Sequence, residues 1–298
     1  MRQPKVTFQM LVYNDDYVLD PCLRAILPYA HAVVVTEGPV AHYWQNTTRD
    51  TTCDILAFRV GEDNVVHGQW EEKDDMQRAA EHLIPEDTDY VWLVDADEVW
   101  QQHVIEQVFD MLAGGFVDGA SFHANSFFGG FEHVMTGFEE MFEVHRIQRW
   151  HPGATWETHR PPTVRMRDGR RCRDGVYLHA PAADTNGWRF FHYSYVFPSQ
   201  AKKKSAYYEA RAPGMCIPRW YERVYLPWVR GDVEARDRIE DEFLGVHNWT
   251  PAARAHEAPK CNGECYTEWF CRDHPDVINE VMPALKARFG RELAEELI

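Results

Sequence analysis

The chain has 298 residues, 45% of them hydrophobic, enough for the core of one large domain or of a domain with extensions. Its formal net charge of −16 argues against a nucleic-acid partner, because phosphate binding wants Lys and Arg in excess; it leaves room for a polyanion held through a divalent cation. No run reaches the length of a membrane span, the start of the chain has no signal-type apolar segment, and the seven scattered cysteines form no disulfide framework, so a cytoplasmic protein is expected, with peripheral membrane contact left open.

In chain order, Val6–Val12 reads as a first strand ending in the polar tip Tyr13-Asn14-Asp15-Asp16. Asp20-Pro21 marks a helix start, with Asp20 as N-cap and Pro21 at the first helical position. Ala32–Val35 is a second strand that runs out into Thr36-Glu37-Gly38. A polar loop over 46–54 leads into a short helix near Ile55, and Asn64–His67 makes a short third strand. Trp70–Leu83 reads as a helix, with Met76, Ala79, Ala80 and Leu83 at helical spacing.

Tyr90–Glu98 is the most informative stretch. Five large apolar or aromatic residues run without a break, then three carboxylates arrive within four positions. The run suits a strand buried on both faces, and if it continues with period 2 it points Asp95 and Asp97 the same way. Two hard oxygen ligands on one side form half of a divalent-cation site. The plainer alternative is a helix start, with Asp97 as N-cap and Glu98 in the first turn.

Strands alternating with helices imply an α/β fold, a mostly parallel sheet flanked by helices. Ligands of such sheets sit beyond the carboxyl ends of the strands, where the tips at Asn14-Asp15-Asp16, Glu37-Gly38 and Asp95-Ala96-Asp97 would lie. Neither a G-x-G-x-x-G fingerprint nor a Walker A loop is present, so a bound nucleotide would have its phosphates held through a metal. For Glu37 a solvated loop acid is the alternative.

These pieces resemble the nucleotide-sugar half of a family 2 glycosyltransferase of the GT-A, Rossmann-like fold, over roughly residues 4–210. The resemblance rests on Leu11 through Ile26, Val33 through Gly38, Thr48 through Leu56, and Leu93-Val94-Asp95-Ala96-Asp97-Glu98. It implies that Asn14, Asp15, Glu37 and Asp50 line the donor site, with Glu37 on the base, and that Asp95 and Asp97 hold Mn²⁺ or Mg²⁺ on the diphosphate. Thr51 stands where the family has a glycine.

Further on, Gln101–Leu112 reads as an amphipathic helix, Gly119–Phe128 as a strand followed by the turn Gly129-Gly130, and Met141–Trp150 as another strand. Arg146-Ile147-Gln148-Arg149, Trp156 and His159 resemble the family's donor- and acceptor-proximal segment, but Arg160 replaces its glutamate. Candidates for the catalytic residues are therefore Glu157, Glu140 (with Glu139 beside it) and His159. Trp188–Tyr195 is an aromatic strand containing His192, to which the resemblance gives a third metal-ligand role; a hydrogen-bonded core histidine is the alternative. Ser199–Arg211 is a helix carrying Lys202, Lys203 and Lys204. Lys202, and Lys73 in the earlier helix, are the candidates for a lysine on the diphosphate.

The resemblance covers a first domain, 1–211, and leaves 212–298 as a mainly helical extension open to acceptor binding. Cys261, Cys265, Cys271 and His274 could ligate zinc, although free thiols are the commoner explanation of such spacing. The expected activity is metal-dependent transfer of a sugar, with inversion, from a UDP-type nucleotide-sugar donor to a carbohydrate, glycolipid or protein acceptor. A sugar-phosphate nucleotidyltransferase and a non-catalytic nucleotide- or carbohydrate-binding protein are the rivals.

Overall fold

The sheet grows from β1, Val6–Val12, and β4, Tyr90–Leu93, two parallel neighbours registered Val6 to Tyr90 and Gln9 to Leu93. Both are almost fully buried, which is why their sequences are apolar runs rather than alternations. The computed structural model describes residues 2–43, 48–137, 140–211, 218–231, 234–236 and 267–296. They fall into two compact units, 1–123 with 143–190, and 124–142 with 191–298.

In the first unit, β2 (Ala32–Glu37) lies parallel on the other side of β1, and β3 (Val65–His67) lies parallel beyond it. On the far side of β4, β8 (Val144–Arg149) is antiparallel, then comes the start of β6 (Gly119–Phe128), and β11 (Tyr177–Leu178) runs parallel to β6. The order is thus β11-β6-β8-β4-β1-β2-β3, an α/β sheet with a parallel centre and antiparallel members toward one edge. The two-residue strand β5 (Glu98–Val99) follows β4, and β9 (Thr155–His159) and β10 (Pro162–Arg165) form a separate antiparallel hairpin.

The helices of this unit are α1 (Leu19–Ile26), α2 (Thr52–Arg59), α3 (Lys73–Ala79), α4 (Gln102–Ala113) and α5 (Ala180–Asp184). The helix read over 70–83 is shorter than its periodicity suggested: α3 ends at Ala79 and a 3₁₀ turn at Glu81–Leu83 replaces its last turn. Asp20 does not cap α1. It lies inside the helix and accepts from Arg59 Nε at 2.6 Å, tying α1 to α2.

Trp92 is the hub of the core. It stacks on Phe8 at 5.2 Å, meets Trp100 edge-on at 4.7 Å and lies parallel to Phe122 at 6.3 Å. Such pairs contribute about 0.5–1.5 kcal/mol each beyond the apolar area they bury. A buried polar relay runs beside it: Trp156 Nε1 donates to Gln9 Oε1 at 2.8 Å, and Gln9 Nε2 donates to the Gln77 carbonyl at 2.7 Å.

The second unit takes up the end of β6, which pairs with β7 (His133–Met135), and β7 pairs with β13 (Thr267–Trp269), both antiparallel. The strand β12 (Arg189–Tyr195) runs into it. Helices α6 (Pro198–Arg211), α7 (Leu226–Arg230), α8 (Asp276–Asn279) and α9 (Met282–Glu295) complete it, with a π-helical turn at Tyr221–Tyr225. Phe128, Tyr195, Trp220, Tyr225 and Trp228 form its aromatic core. The stretch after 212 is mainly helical where described, and it adds the sheet strand β13. Among the described residues no helix is long and apolar enough to cross a membrane.

Candidate functional site

The order β3-β2-β1-β4 contains a reversal. The chain lays β2 and β3 to one side of β1, then returns to place β4 on the other. At such a switch point the loops leaving the two central strands diverge and open a crevice beyond their carboxyl ends. The loop after β1 supplies Asn14, Asp15 and Asp16, and the loop after β4 supplies Asp95 and Asp97, with Glu98 following at the start of β5.

The strand does not continue through the acidic motif. It stops at Leu93, and Asp95–Glu98 is a turn closed by the Glu98 N–H donating to the Asp95 carbonyl at 3.0 Å. Alternation therefore does not fix where these side chains point. Asp97 is 3% exposed, while the Asp95 side chain keeps 44% of its surface. Asp95 is also paired: Arg146 Nη2 from β8 donates to Asp95 Oδ2 at 2.7 Å and to Glu98 Oε1. Arg146 is itself buried and lies over the Phe190 ring at 5.6 Å.

Two carboxylates, Asp95 and Glu98, thus share one buried guanidinium. Burial pushes the Asp95 carboxyl up, but Arg146, with Lys73 and His159 adding to it, pulls the other way and the group ends well below its usual range. Glu98 goes the other way, held high by burial despite Arg146, with Asp95 and Asp97 adding to the rise. Under the turn, burial raises the Cys22 thiol, and the charges of Glu98, Asp97, Asp95 and Asp15 raise it further. Four acids therefore act on one point. Carboxylate oxygens are the donors that Mg²⁺ and Mn²⁺ take, and Asp97 and the exposed edge of Asp95 are the groups that could hold such an ion here.

Lys73 and His159 also reach this region electrostatically, since both help to lower Asp95. The His159 N–H donates to Asp74 Oδ1 at 2.6 Å, and its Nδ1 sits 3.0 Å from Gln77 Oε1. Burial, then the charges of Lys73 and Arg160, push the imidazole down to about 2. It is neutral near pH 7 and too weak a base to take a proton from a hydroxyl; a hydrogen-bonding role remains.

Glu157 is held in a clamp. Arg171 donates to both of its oxygens, at 2.8 and 2.5 Å, and Arg165 adds a bond at 2.8 Å. The Arg171 hydrogen bonds lead in lowering it to about 2, the wrong direction for a general base. With Arg171, Arg173, His145 and His179 it lines a separate polar cleft of about 430 Å³.

The loop of Asn14 and the loop of Asp50 are laced together. Asn14 sits at φ +48°, and its Nδ2 donates to the Thr48 carbonyl at 2.6 Å. The Asp15 N–H donates to Thr52 Oγ1 at 2.8 Å, and Asp50 Oδ1 accepts from the Thr52 N–H at 2.9 Å, just before α2 begins. Asp50 is thus occupied in shaping the loop. Glu37, at the end of β2, is also committed: its Oε1 accepts from Arg49 at 2.5 Å and its Oε2 lies 3.0 Å from His67 Nδ1.

The remaining candidates lie in the second unit. His192 Nδ1 faces Ser126 Oγ at 3.5 Å. Lys202 reaches Glu296 Oε1 at 3.1 Å and lies over the Tyr221 ring at 5.5 Å, so it joins α6 to the last helix. Glu140 is half-buried. Glu139, Cys261 and Cys265 lie outside the described residues; Cys271 is exposed, and His274 bonds Tyr193 and the Phe131 carbonyl. The sequence marks Arg146 only through the family resemblance of its segment. Its strand also carries His145, Gln148 and Arg149, so nothing local singles Arg146 out as the partner of an acidic cluster 48 residues earlier.

No family model and no curated protein matches the chain. Among solved structures it is similar to S. aureus TarS, at 12% identity over 49% of this chain and 28% of that one, TM-score 0.34. TarS 1–349 in complex with UDP-GlcNAc gives 12% identity over 49% and 45%, also at 0.34. The 4-diphosphocytidyl-2C-methyl-D-erythritol synthase from Anaerococcus prevotii gives 8% over 49% and 70%, at 0.32. The chain thus spans less than half the length of TarS or of its 1–349 piece. Likenesses this distant identify neither a family nor an activity.

Proposed function

We propose that the chain binds a nucleoside-diphosphate sugar, of the UDP type, in the crevice beyond β1 and β4 and transfers the sugar to an acceptor hydroxyl on a GT-A scaffold. The observation that carries the reading is the switch point itself, with Asn14 and Asp15 on one loop and Asp95 and Asp97 on the other. A divalent cation held by Asp97 and Asp95 would supply Lewis-acid stabilisation of the departing diphosphate. Lys73 adds positive charge on the same side, and the neutral His159 offers a hydrogen-bonding edge. The clamped Glu157 and the weakly basic His159 favour one alternative, a binding protein on the same scaffold that does not turn over.

The test is a thermal-shift panel of nucleoside diphosphates, each with and without Mn²⁺. A ligand at about 100 times its Kd stabilises the fold by about 2.7 kcal/mol. The expected result is a shift with one nucleotide that requires the metal and disappears in Asp97→Asn. Equal UDP affinity for wild type and that variant in Mn²⁺ sinks the assignment. Donor hydrolysis in Mn²⁺ then separates enzyme from binder.

A further inference from the structure

The ends of β2 and β3 lie side by side, Glu37 registered with His67, and α2 brings Cys53 over them. One ligand atom from each of Glu37, Cys53 and His67 lies within 4.8 Å of the other two, the one such grouping of three among the described residues. From this geometry we infer that Glu37, Cys53 and His67 form a zinc-binding site.

The donors are a carboxylate, a thiol and an imidazole, a set that selects Zn²⁺ over the harder Mg²⁺ and Mn²⁺. Zn–ligand bonds of about 2.0–2.3 Å in a tetrahedron put ligand atoms roughly 3.3–3.8 Å apart, so side-chain adjustments of about 1 Å close the site.

The imidazole is oriented from both sides. His67 Nδ1 is 3.0 Å from Glu37 Oε2, and Nε2 is 3.3 Å from Glu62 Oε2. A neutral imidazole has a single N–H. Once Nε2–H is given to Glu62, a bare Nδ1 lone pair faces a bare carboxylate oxygen, and a cation belongs between them. An outer carboxylate that fixes the tautomer of a metal-bound histidine is a recurring support of such sites. Glu37 is oriented likewise: Arg49 holds Oε1, which leaves Oε2 for the ion. The Glu37 side chain is 1% exposed and that of His67 44%, so the site has a buried floor and an open mouth, with a fourth position for water or a ligand.

This inference does not rest on the proposed donor crevice. It gives Glu37 a use incompatible with contact to a nucleotide base.

The experiment titrates the metal-stripped full chain with ZnCl₂ by calorimetry and with CoCl₂ by absorption. Wild type is expected to bind zinc, and its cobalt complex to show a thiolate-to-metal charge-transfer band that Cys53→Ser lacks. Cys53→Ser and His67→Gln should weaken zinc by more than about 100-fold, and Glu62→Gln by about 10-fold. Cys271→Ser is the control for thiols elsewhere and should change nothing. Melting curves of the metal-free variants check folding, and the exposed His67 provides the second test if Cys53→Ser is unstable. Absence of zinc binding by wild type, leaving only a doubly protonated imidazole between the two acids, overturns the site. So does undiminished zinc in either variant, or a missing thiolate band. The UDP and Mn²⁺ shift is measured on His67→Gln as well; its persistence there with zinc lost shows that the two sites fail or stand separately.

Discussion

Replacing Arg146 by Met is the sharpest probe of the first unit. The guanidinium is the ion-pair partner of the fully buried Glu98 and of Asp95, and its side chain is 8% exposed. Removing one member of a buried pair costs about 3–5 kcal/mol, because the charge left behind has no water to turn to. The lower end applies here, since Glu98 is already held high and can take up a proton instead of staying ionised. About 3 kcal/mol corresponds to a fall in melting temperature of roughly 5 °C for a chain of this size unfolding as one unit, at about 2.1 cal/mol/K of unfolding entropy per residue. The pH dependence follows. A carboxyl whose folded pKa lies above its unfolded value contributes stability below the unfolded pKa and loses it as pH rises through the folded one. The penalty of Arg146→Met should therefore be larger at pH 8 than at pH 5. Adding Glu98→Gln should return more than about half of it, because the orphaned acid is gone. Calorimetric melts of wild type, R146M, E98Q and R146M/E98Q at both pH values measure all of this. A single variant within about 1 kcal/mol of wild type, or a double variant no better than the single, would show that the guanidinium does not neutralise this cluster.

Two histidines make the fold acid-sensitive. Burial leads in holding His145 down to about 4 and His159 down to about 2, below the unfolded value near 6.5. The unfolded chain therefore binds protons that the folded one refuses, and stability should fall as pH drops below about 6.5, by up to ~1.4 kcal/mol per unit for each. Urea midpoints between pH 7 and 5 check this, and H145Q with H159Q should flatten the profile. Gly38→Ala should destabilise by more than about 2 kcal/mol in thermal melts, since φ is +145° and a Cβ would sit 2.0 Å from the Gly68 carbonyl oxygen. Trp156→Phe keeps the ring packing but leaves Gln9 Oε1 without its indole donor; about 1–3 kcal/mol should be lost by the same assay.

Much of the sheet was legible because burial on both faces leaves a mark. Val6–Val12 and Gly119–Phe128 are strands over the bounds that their apolar content gives. The loops were harder. Asp20 beside Pro21 has the chemistry of a cap, yet a tertiary partner, Arg59, was worth more to it than the helix end. Asp95 and Asp97 were read by strand alternation, but alternation has no meaning in the turn that begins after Leu93. Arg146 lies 48 residues from Glu98, and no local pattern announces an ion pair closed across a sheet. The Glu37, Cys53 and His67 grouping was invisible for the same reason, since only the register of β2 against β3 makes its two ends neighbours.

The chain leaves its first unit after His123, returns at Glu143 and leaves again after Phe190. During synthesis the first unit has all its strands once residue 190 clears the ribosome. The second must wait for Thr267–Trp269 to pair with His133–Met135, some 130 residues upstream. Its edge at β7 stays unpaired through that interval, open to other strands in a crowded cell. A stalled or clipped product lacking the last thirty or so residues would keep that liability for good.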